Sequence, residues 1–347
     1  MAKVLVAMSG GVDSSLSAYL LLQQGYEVIG ATMNFLDVLS PSINDAKAVA
    51  EQLGITHYVF NLQEEFQREV LQPFLLGYSK GITPNPCVLC NRMIKFGVLW
   101  ERAKELGCSH IATGHYARIS TDERGRKILL KGKAEKEQSY FLYNIKAELL
   151  DKIIFPLGDW DDKERVREKA REIGLLVADK EESKDLCFVK GGDYRDLLKR
   201  HFPDAFKEGA IIDSEGKFRG FHKGIANYTI GQREGLGIAL GERYYVKGIR
   251  AEENIIVVGR EEEIEAREIW ADNLNWLAEP PKEGAIVGAK IRYGSPEKPA
   301  KIFWDGELLR VEFQEPVRAP ALGQSVVLYR DEIVLGGGII CRISWLK

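Results

Sequence analysis

Apolar runs and helical repeats alternate through the first half of the chain. Val4 to Met8 is a short continuous apolar run stopped by Ser9-Gly10-Gly11, as expected of a buried strand closed by a turn. Val12 to Gln24 carries apolar residues at Val12, Leu16, Tyr19, Leu20 and Leu22, close to helical period, and Gly25 stands where a C-cap glycine belongs. Val28 to Met33 reads as a second strand. Asn44 is the expected cap of a helix running to Leu53, with Ala46, Val49, Ala50 and Leu53 on one face and Gly54 closing it. Tyr58-Val59-Phe60 reads as a third strand, Glu64 to Tyr78 and Asn91 to Leu106 as helices, and His110 to Thr113 as a further strand. Repeated units of this kind predict an α/β fold with a mostly parallel sheet, helices on both faces and a ligand beyond the C-terminal strand ends.

The texture changes near Gly209. Short alternating runs follow at Arg243 to Ile249, Asn254 to Val258, Ala285 to Tyr293, Ala300 to Trp304, Leu308 to Phe313, Ser325 to Tyr329 and Ile339 to Ile343. They predict antiparallel structure ending in a small barrel. The charge-rich stretch Asp161 to Ile173 reads as a helix with a solvated face. Arg124, Arg126, Lys127, Lys131, Lys133 and Lys136 form the densest basic stretch, either a solvated hairpin or a track for phosphates.

Composition narrows the class. With 347 residues, 45% hydrophobic and 29% charged, the chain is expected to fold into two or three domains. The net charge of −3 does not announce a nucleic-acid partner, although a local basic patch would suffice. No apolar run reaches the roughly 18 residues of a membrane span, and the opening segment is too short for a signal peptide, so a cytoplasmic enzyme without a membrane partner is expected. The five cysteines (Cys87, Cys90, Cys108, Cys187 and Cys341) are a poor disulfide framework. Cys87-Val88-Leu89-Cys90 points instead to redox, metal or catalytic chemistry.

The segment Ser9-Gly10-Gly11-Val12-Asp13-Ser14-Ser15 lies between a strand and a helix. Its glycines let the backbone approach an anion, while helix N–H groups and serine hydroxyls can cradle phosphate. It matches neither G-x-x-x-x-G-K-[ST] nor G-x-G-x-x-G. A tight turn with capping serines is the competing reading.

S-G-G-x-D-S after a first strand resembles the pyrophosphate loop of the ATP pyrophosphatases. Five further segments are similar to the tRNA-specific 2-thiouridylases: Pro84 to Asn91, Ala112 to Ala117, Lys136 to Leu142, Ser183 to Val189 and Asn227 to Gly237. The resemblance implies an N-terminal doubly wound parallel-sheet ATP pyrophosphatase domain (1–200), a small central domain (201–266) and a C-terminal antiparallel β-barrel that contacts tRNA (267–347). It implies that ATP adenylates the C2 oxygen of the wobble uridine and that sulfur displaces AMP, yielding 2-thiouridine. Ala7, Met8, Ser9, Gly10, Gly11, Val12, Asp13 and Ser14 would bind ATP, with Met33 and Gly114 on the adenine and ribose side. Asp13 could place Mg2+ through water, with helix-dipole stabilisation as its competitor.

By the same resemblance Cys187 carries a persulfide and Cys90 resolves it, leaving a disulfide for a reductant to reset. Partly exposed, electropositive thiols are then expected, with Lys184 and Arg92 nearby in sequence. Cys87 stands where many family members have aspartate, so an acid/base carboxylate is lost there. Cys87, Cys90 and Cys187 together also offer ligands for a [4Fe–4S] cluster, and the two mechanisms stay open. Asn85, Pro86, Cys87, His115, Lys136, Glu137, Gln138, Arg292, Tyr293 and Gln324 align with positions that touch the tRNA anticodon arm. A sulfur-donor or relay protein is a further implied partner. An ATP-dependent amidase or ligase, and a non-catalytic RNA-binding or iron–sulfur scaffold, are the rival functions; the first leaves the thiols unused and the second leaves the loop unused.

Overall fold

The structure is a computed structural model and describes residues 1–35, 41–181, 186–189, 193–238 and 242–346. Strands β1 (Lys3–Ala7), β2 (Glu27–Asn34), β3 (Thr56–Asn61), β4 (His110–Ala112), β5 (Ala117–Thr121), β6 (Lys127–Lys131) and β7 (Ile153–Ile154) lie in the first half. Five of them form a parallel sheet ordered β3-β2-β1-β4-β7. Val4, Leu5, Val6 and Ala7 are all buried because helices cover both faces of β1. The chain leaves β1 toward β2 on one side and returns to β4 on the other. The loops after β1 and β4 therefore open onto one crevice at the point where strand order reverses.

The helices correct the expected boundaries. The second helix is Pro41–Leu53, so Asn44 sits inside it and is not its cap; a proline in the first turn suits a helix start. The expected helix at Glu64 to Tyr78 is Gln63–Phe66 and Gln72–Ser79 joined by a wide π-type turn, Gln67–Leu71. That at Asn91 to Leu106 starts earlier, as Pro86–Leu89, and continues through a nine-residue π-type stretch, Cys90–Val98, into Leu99–Glu105.

The second half adds β8 (Gly209–Asp213), β9 (Phe218–His222), β10 (Tyr245–Arg250), β11 (Ile255–Gly259), β12 (Glu265–Trp276), β13 (Ile286–Lys290), β14 (Lys298–Asp305), β15 (Leu308–Arg318), β16 (Ser325–Arg330) and β17 (Ile333–Trp345). The central sheet, ordered β10-β11-β8-β9, is mixed, because β11 runs parallel to β8. The last six strands close into an antiparallel barrel through the β12–β17 pairing. The strand β12 has no counterpart among the runs read from the sequence, because Glu265, Arg267, Glu268, Asp272 and Asn273 interrupt its apolar positions.

The hairpin β5–β6 joins the barrel's rim, with Leu130 paired to Ile333. Most cations in and just after it are ion-paired: Arg118 with Glu332, Arg124 with Glu279, Arg126 with Asp122, Lys131 with Glu297 and Lys133 with Asp159.

Part-buried polar contacts fasten the barrel to the α/β layer. Asn275 on β12 donates to the carbonyls of Tyr143 and Ile145 at 2.8 and 2.9 Å and accepts from Arg92 at 3.2 Å. Asn275→Ala strands three partners, so a loss of about 2–3 kcal/mol in unfolding free energy is expected, measured by denaturant titration.

Candidate nucleotide and sulfur site

The first strand-end loop is shaped by a glycine that nothing else can replace. Gly10 has φ +73°, and a Cβ there would stand 2.1 Å from the Ser42 carbonyl oxygen. The serine hydroxyls organise the turn. Ser14 and Ser15 donate to the Gly11 carbonyl at 3.1 and 2.9 Å, and the Ser9 N–H donates to Ser14 Oγ at 3.1 Å. Gly11, at the N-cap of the helix Val12–Gln23, has no side chain to cap its first N–H groups, which suits an anion. The two readings of this loop are thus compatible: serines cap, and the helix end stays available.

The loop after β4 lies directly against it. A Cβ on Gly114 would meet Ser14 N at 2.8 Å and Asp13 at 2.9 Å. Between them is a cavity of 180 Å³ that Ala7, Ser9, Asp13, Ser14, Met33 and Gly114 line, with Lys95, Thr113, His115 and Gln138. Met8 lines the adjoining cavity, while Gly10, Gly11 and Val12 shape the loop without lining either. Both Asp13 oxygens are engaged: Tyr116 Oη donates to Oδ1 at 2.7 Å, and Lys163 pairs with Oδ2. Each Asp13 oxygen thus already has one protein partner. Lys163, assigned to a solvated helix face, turns inward to the loop after β1.

Cys87, Cys90 and Cys187 line one cavity of 240 Å³ beside the first. Ser9, Met33 and Lys95 are walls of both. Asn85 caps the helix Pro86–Leu89, accepting from the Cys87 and Val88 N–H groups at 3.2 and 3.4 Å, with Pro86 in the first turn. Asn85→Ala is expected to cost about 1 kcal/mol of stability and to loosen the Cys87–Cys90 segment, seen as faster amide exchange there. All five thiols are free. Cys108 is buried in the sheet core, and Cys341 Sγ donates to the Trp270 carbonyl, so neither reaches this site.

Burial pushes the Cys90 thiol up to about 12, and Lys95 opposes it. Cys87 and Cys187 are solvent-accessible, yet the surrounding cavity walls desolvate them enough to raise both, again against Lys95. The expected electropositive neighbour is therefore Lys95. Arg92 points away, donating to Asn144 O and Oδ1 at 3.0 and 2.8 Å, and Lys184 lies outside the described residues. Lys95 was missed because at 3.6 residues per turn it falls well round the helix from Cys90; the π-type stretch, with its i to i+5 spacing, brings the two together.

A raised Cys90 also fixes a stability sign. Between an unfolded value of about 8.5 and a folded value of about 12 the native state holds the extra proton, so stability falls as pH rises through that window. The slope is expected to shrink in Cys90→Ser, read from denaturation midpoints between about pH 8 and 11.

Among the described residues, no group of three His, Cys, Asp or Glu side chains is arranged to hold a metal ion. Cys87, Cys90 and Cys187 share a cavity without forming such a group.

The residues aligned with RNA contacts divide by setting. Lys136 is exposed, and Tyr293 donates to its carbonyl at 3.0 Å while packing on Phe141 with ring centroids 4.5 Å apart. Glu137 pairs with Lys290 at 3.6 Å, and Gln138 accepts from the Tyr116 N–H at 3.1 Å. Gln324 donates to the Thr83 carbonyl at 2.8 Å, fastening the barrel to the segment before Asn85. Arg292 donates to the carbonyls of Ile230 and Ala319 at 2.9 and 2.7 Å, joining barrel and central sheet. In this arrangement Arg292 and Gln324 bridge elements of the fold, and His115 lines the 180 Å³ cavity.

Three family models match in order: the tRNA methyl transferase HUP domain over 2–191, the tRNA methyl transferase PRC-barrel domain over 195–260, and the aminomethyltransferase beta-barrel domain over 266–340. A tRNA-specific 2-thiouridylase of Caldanaerobacter subterraneus is 47% identical over 97% of this chain and 97% of its own. That of Clostridioides difficile is 44% identical over 97% of this chain and 98% of its own. Among solved structures, a 4-thiouridine synthetase–RNA complex with bound ATP aligns at a TM-score of 0.37 with 18% identity, over 58% of this chain and 51% of that one. So distant an alignment adds nothing to the argument. Among the described residues no helix is long and apolar enough to cross a membrane.

Proposed function

This chain belongs to the tRNA-specific 2-thiouridylases, and from that premise we propose how its two adjoining cavities divide the work. The enzyme is a sulfurtransferase that uses ATP to convert a tRNA uridine into 2-thiouridine. A pyrimidine carbonyl oxygen is a poor leaving group; adenylated, it departs as AMP. The β1 loop and the end of the helix Val12–Gln23 hold the phosphates, Met33 and Gly114 flank adenine and ribose, and Lys163 is kept at the loop by Asp13.

Sulfur enters from the other side of the shared wall. The terminal sulfur of a Cys187 persulfide attacks C2, and the C2–O bond breaks with release of AMP. Cys90, once deprotonated, attacks Cys187 Sγ; the Cys187–sulfur bond breaks, its electrons stay on the sulfur at C2, and a Cys90–Cys187 disulfide forms. A dithiol reductant returns both thiols, and a sulfur-donor protein reloads Cys187. The base must leave its stack to meet both groups, with Asn85, Pro86, Cys87 and Lys136 bordering its entry. Mg2+ accompanies the nucleotide's phosphates, with no protein ligand assigned.

What carries this reading is the common wall of Ser9, Met33 and Lys95 between the nucleotide cradle and the three thiols. Its test is tRNA-dependent release of pyrophosphate coupled one-to-one to 2-thiouridine, quantified in digested tRNA. Pyrophosphate release without thiolation by persulfide-loaded enzyme would contradict it.

A further inference from the structure

Lys95 reaches both halves of the site, lining the 180 Å³ and the 240 Å³ cavities alike. Its Nζ stands 3.4 Å from Nε2 of His115, whose Nδ1 lies 2.6 Å from Thr113 Oγ1. Burial, then Lys95, holds His115 well below its ordinary value, so the ring is neutral near neutrality. An ammonium only donates; Nε2 is therefore the accepting nitrogen, and Nδ1–H donates to Thr113. The imidazole thus aims the cation.

The groups facing Lys95 are Cys87 and Cys90 on its own helical segment, Cys187 across the cavity, and His115 from the β4 loop. Asp13, on the nucleotide side, is already paired with Lys163. Among the described residues Lys95 makes no ion pair of its own. The chemistry has a use for such a charge. A persulfide anion must approach a carbon whose leaving group carries a phosphate anion, and the two repel in an enclosed site of low dielectric.

Resting on the function proposed above, we propose that Lys95 is a shared cation of both half-reactions, touching the nucleotide's α-phosphate while lowering the repulsion met by the incoming sulfur, and that His115 is its positioning residue. Adenylation and sulfur attack are then coupled through one side chain.

Two readouts test this in the full-length protein without requiring turnover: the ATP dissociation constant, and the rate of iodoacetamide alkylation at Cys90 and Cys187, resolved by mass spectrometry from about pH 6 to 10. Lys95→Met is expected to weaken ATP binding about tenfold and to slow alkylation at pH 8 about tenfold, with the alkylation profile displaced upward by about one pH unit. Lys95→Arg should recover most of both, and His115→Gln should lose part of both. Lys95→Gln carries the same expectation as Met should the Met variant fail to fold, as judged by its melting midpoint. Loss of ATP affinity with an unchanged alkylation profile, or the reverse, overturns the shared role. A wild-type enzyme that binds no ATP would instead overturn the function on which this rests.

Discussion

Cys187→Ser is expected to abolish 2-thiouridine formation, a loss of at least about a thousandfold given that removal of a nucleophile leaves only binding and electrostatic assistance. Its tRNA affinity should stay within about twofold, since a serine at the cavity mouth changes neither charge nor shape. Cys90→Ser should also stop net thiolation but at a different point. The C2–O bond can still break, so AMP release survives for one turnover while the sulfur stays bonded to Cys187 as an enzyme–tRNA adduct. A gel-shifted, reductant-sensitive covalent complex in Cys90→Ser, absent from Cys187→Ser, is the expected result. Equal AMP release and no adduct in both variants would remove the order of attack.

Gly114→Ala is expected to lose nucleotide chemistry by at least about a hundredfold while the sheet stays folded. The added methyl would sit 2.8 Å from Ser14 N and 2.9 Å from Asp13, backbone that cannot yield without opening the β1 loop. Gly10→Ala combines a clash with the Ser42 carbonyl and strain at φ +73°, so it should lose both nucleotide binding and about 1–2 kcal/mol of stability. Pyrophosphate exchange reads the first effect and denaturant titration the second. Exchange at the wild-type rate in Gly114→Ala would mean that the two strand-end loops do not jointly hold the nucleotide.

The parallel sheet and its ligand crevice were legible because Val4 to Met8 is an uninterrupted apolar run stopped by Ser9-Gly10-Gly11, and the short, mostly apolar segments Val28 to Met33 and His110 to Thr113 follow helical stretches. Residues whose part depends on long-range placement were not legible. Lys163 belongs to a helix so rich in charge that its solvated face hid the one cation turned to Asp13. Lys95 was hidden by the assumption of a regular α-helix, since only a π-type turn aligns it with Cys90. The donors of Arg292 and Gln324 satisfy backbone carbonyls distant in the chain, contacts that no local pattern announces. The strand β12 escaped because its apolar positions are separated by charged ones and by bulges that shift its register against β17.

Convergence of nucleotide and sulfur on one uridine is best tested by a single turnover of persulfide-loaded enzyme with ATP and tRNA, no reductant present. The expected product is one 2-thiouridine, one AMP and one Cys90–Cys187 disulfide per enzyme, found by peptide mapping with Cys108 and Cys341 still free. Continued thiolation with Cys90 remaining a thiol, or a disulfide joining Cys187 to any other cysteine, would contradict the account.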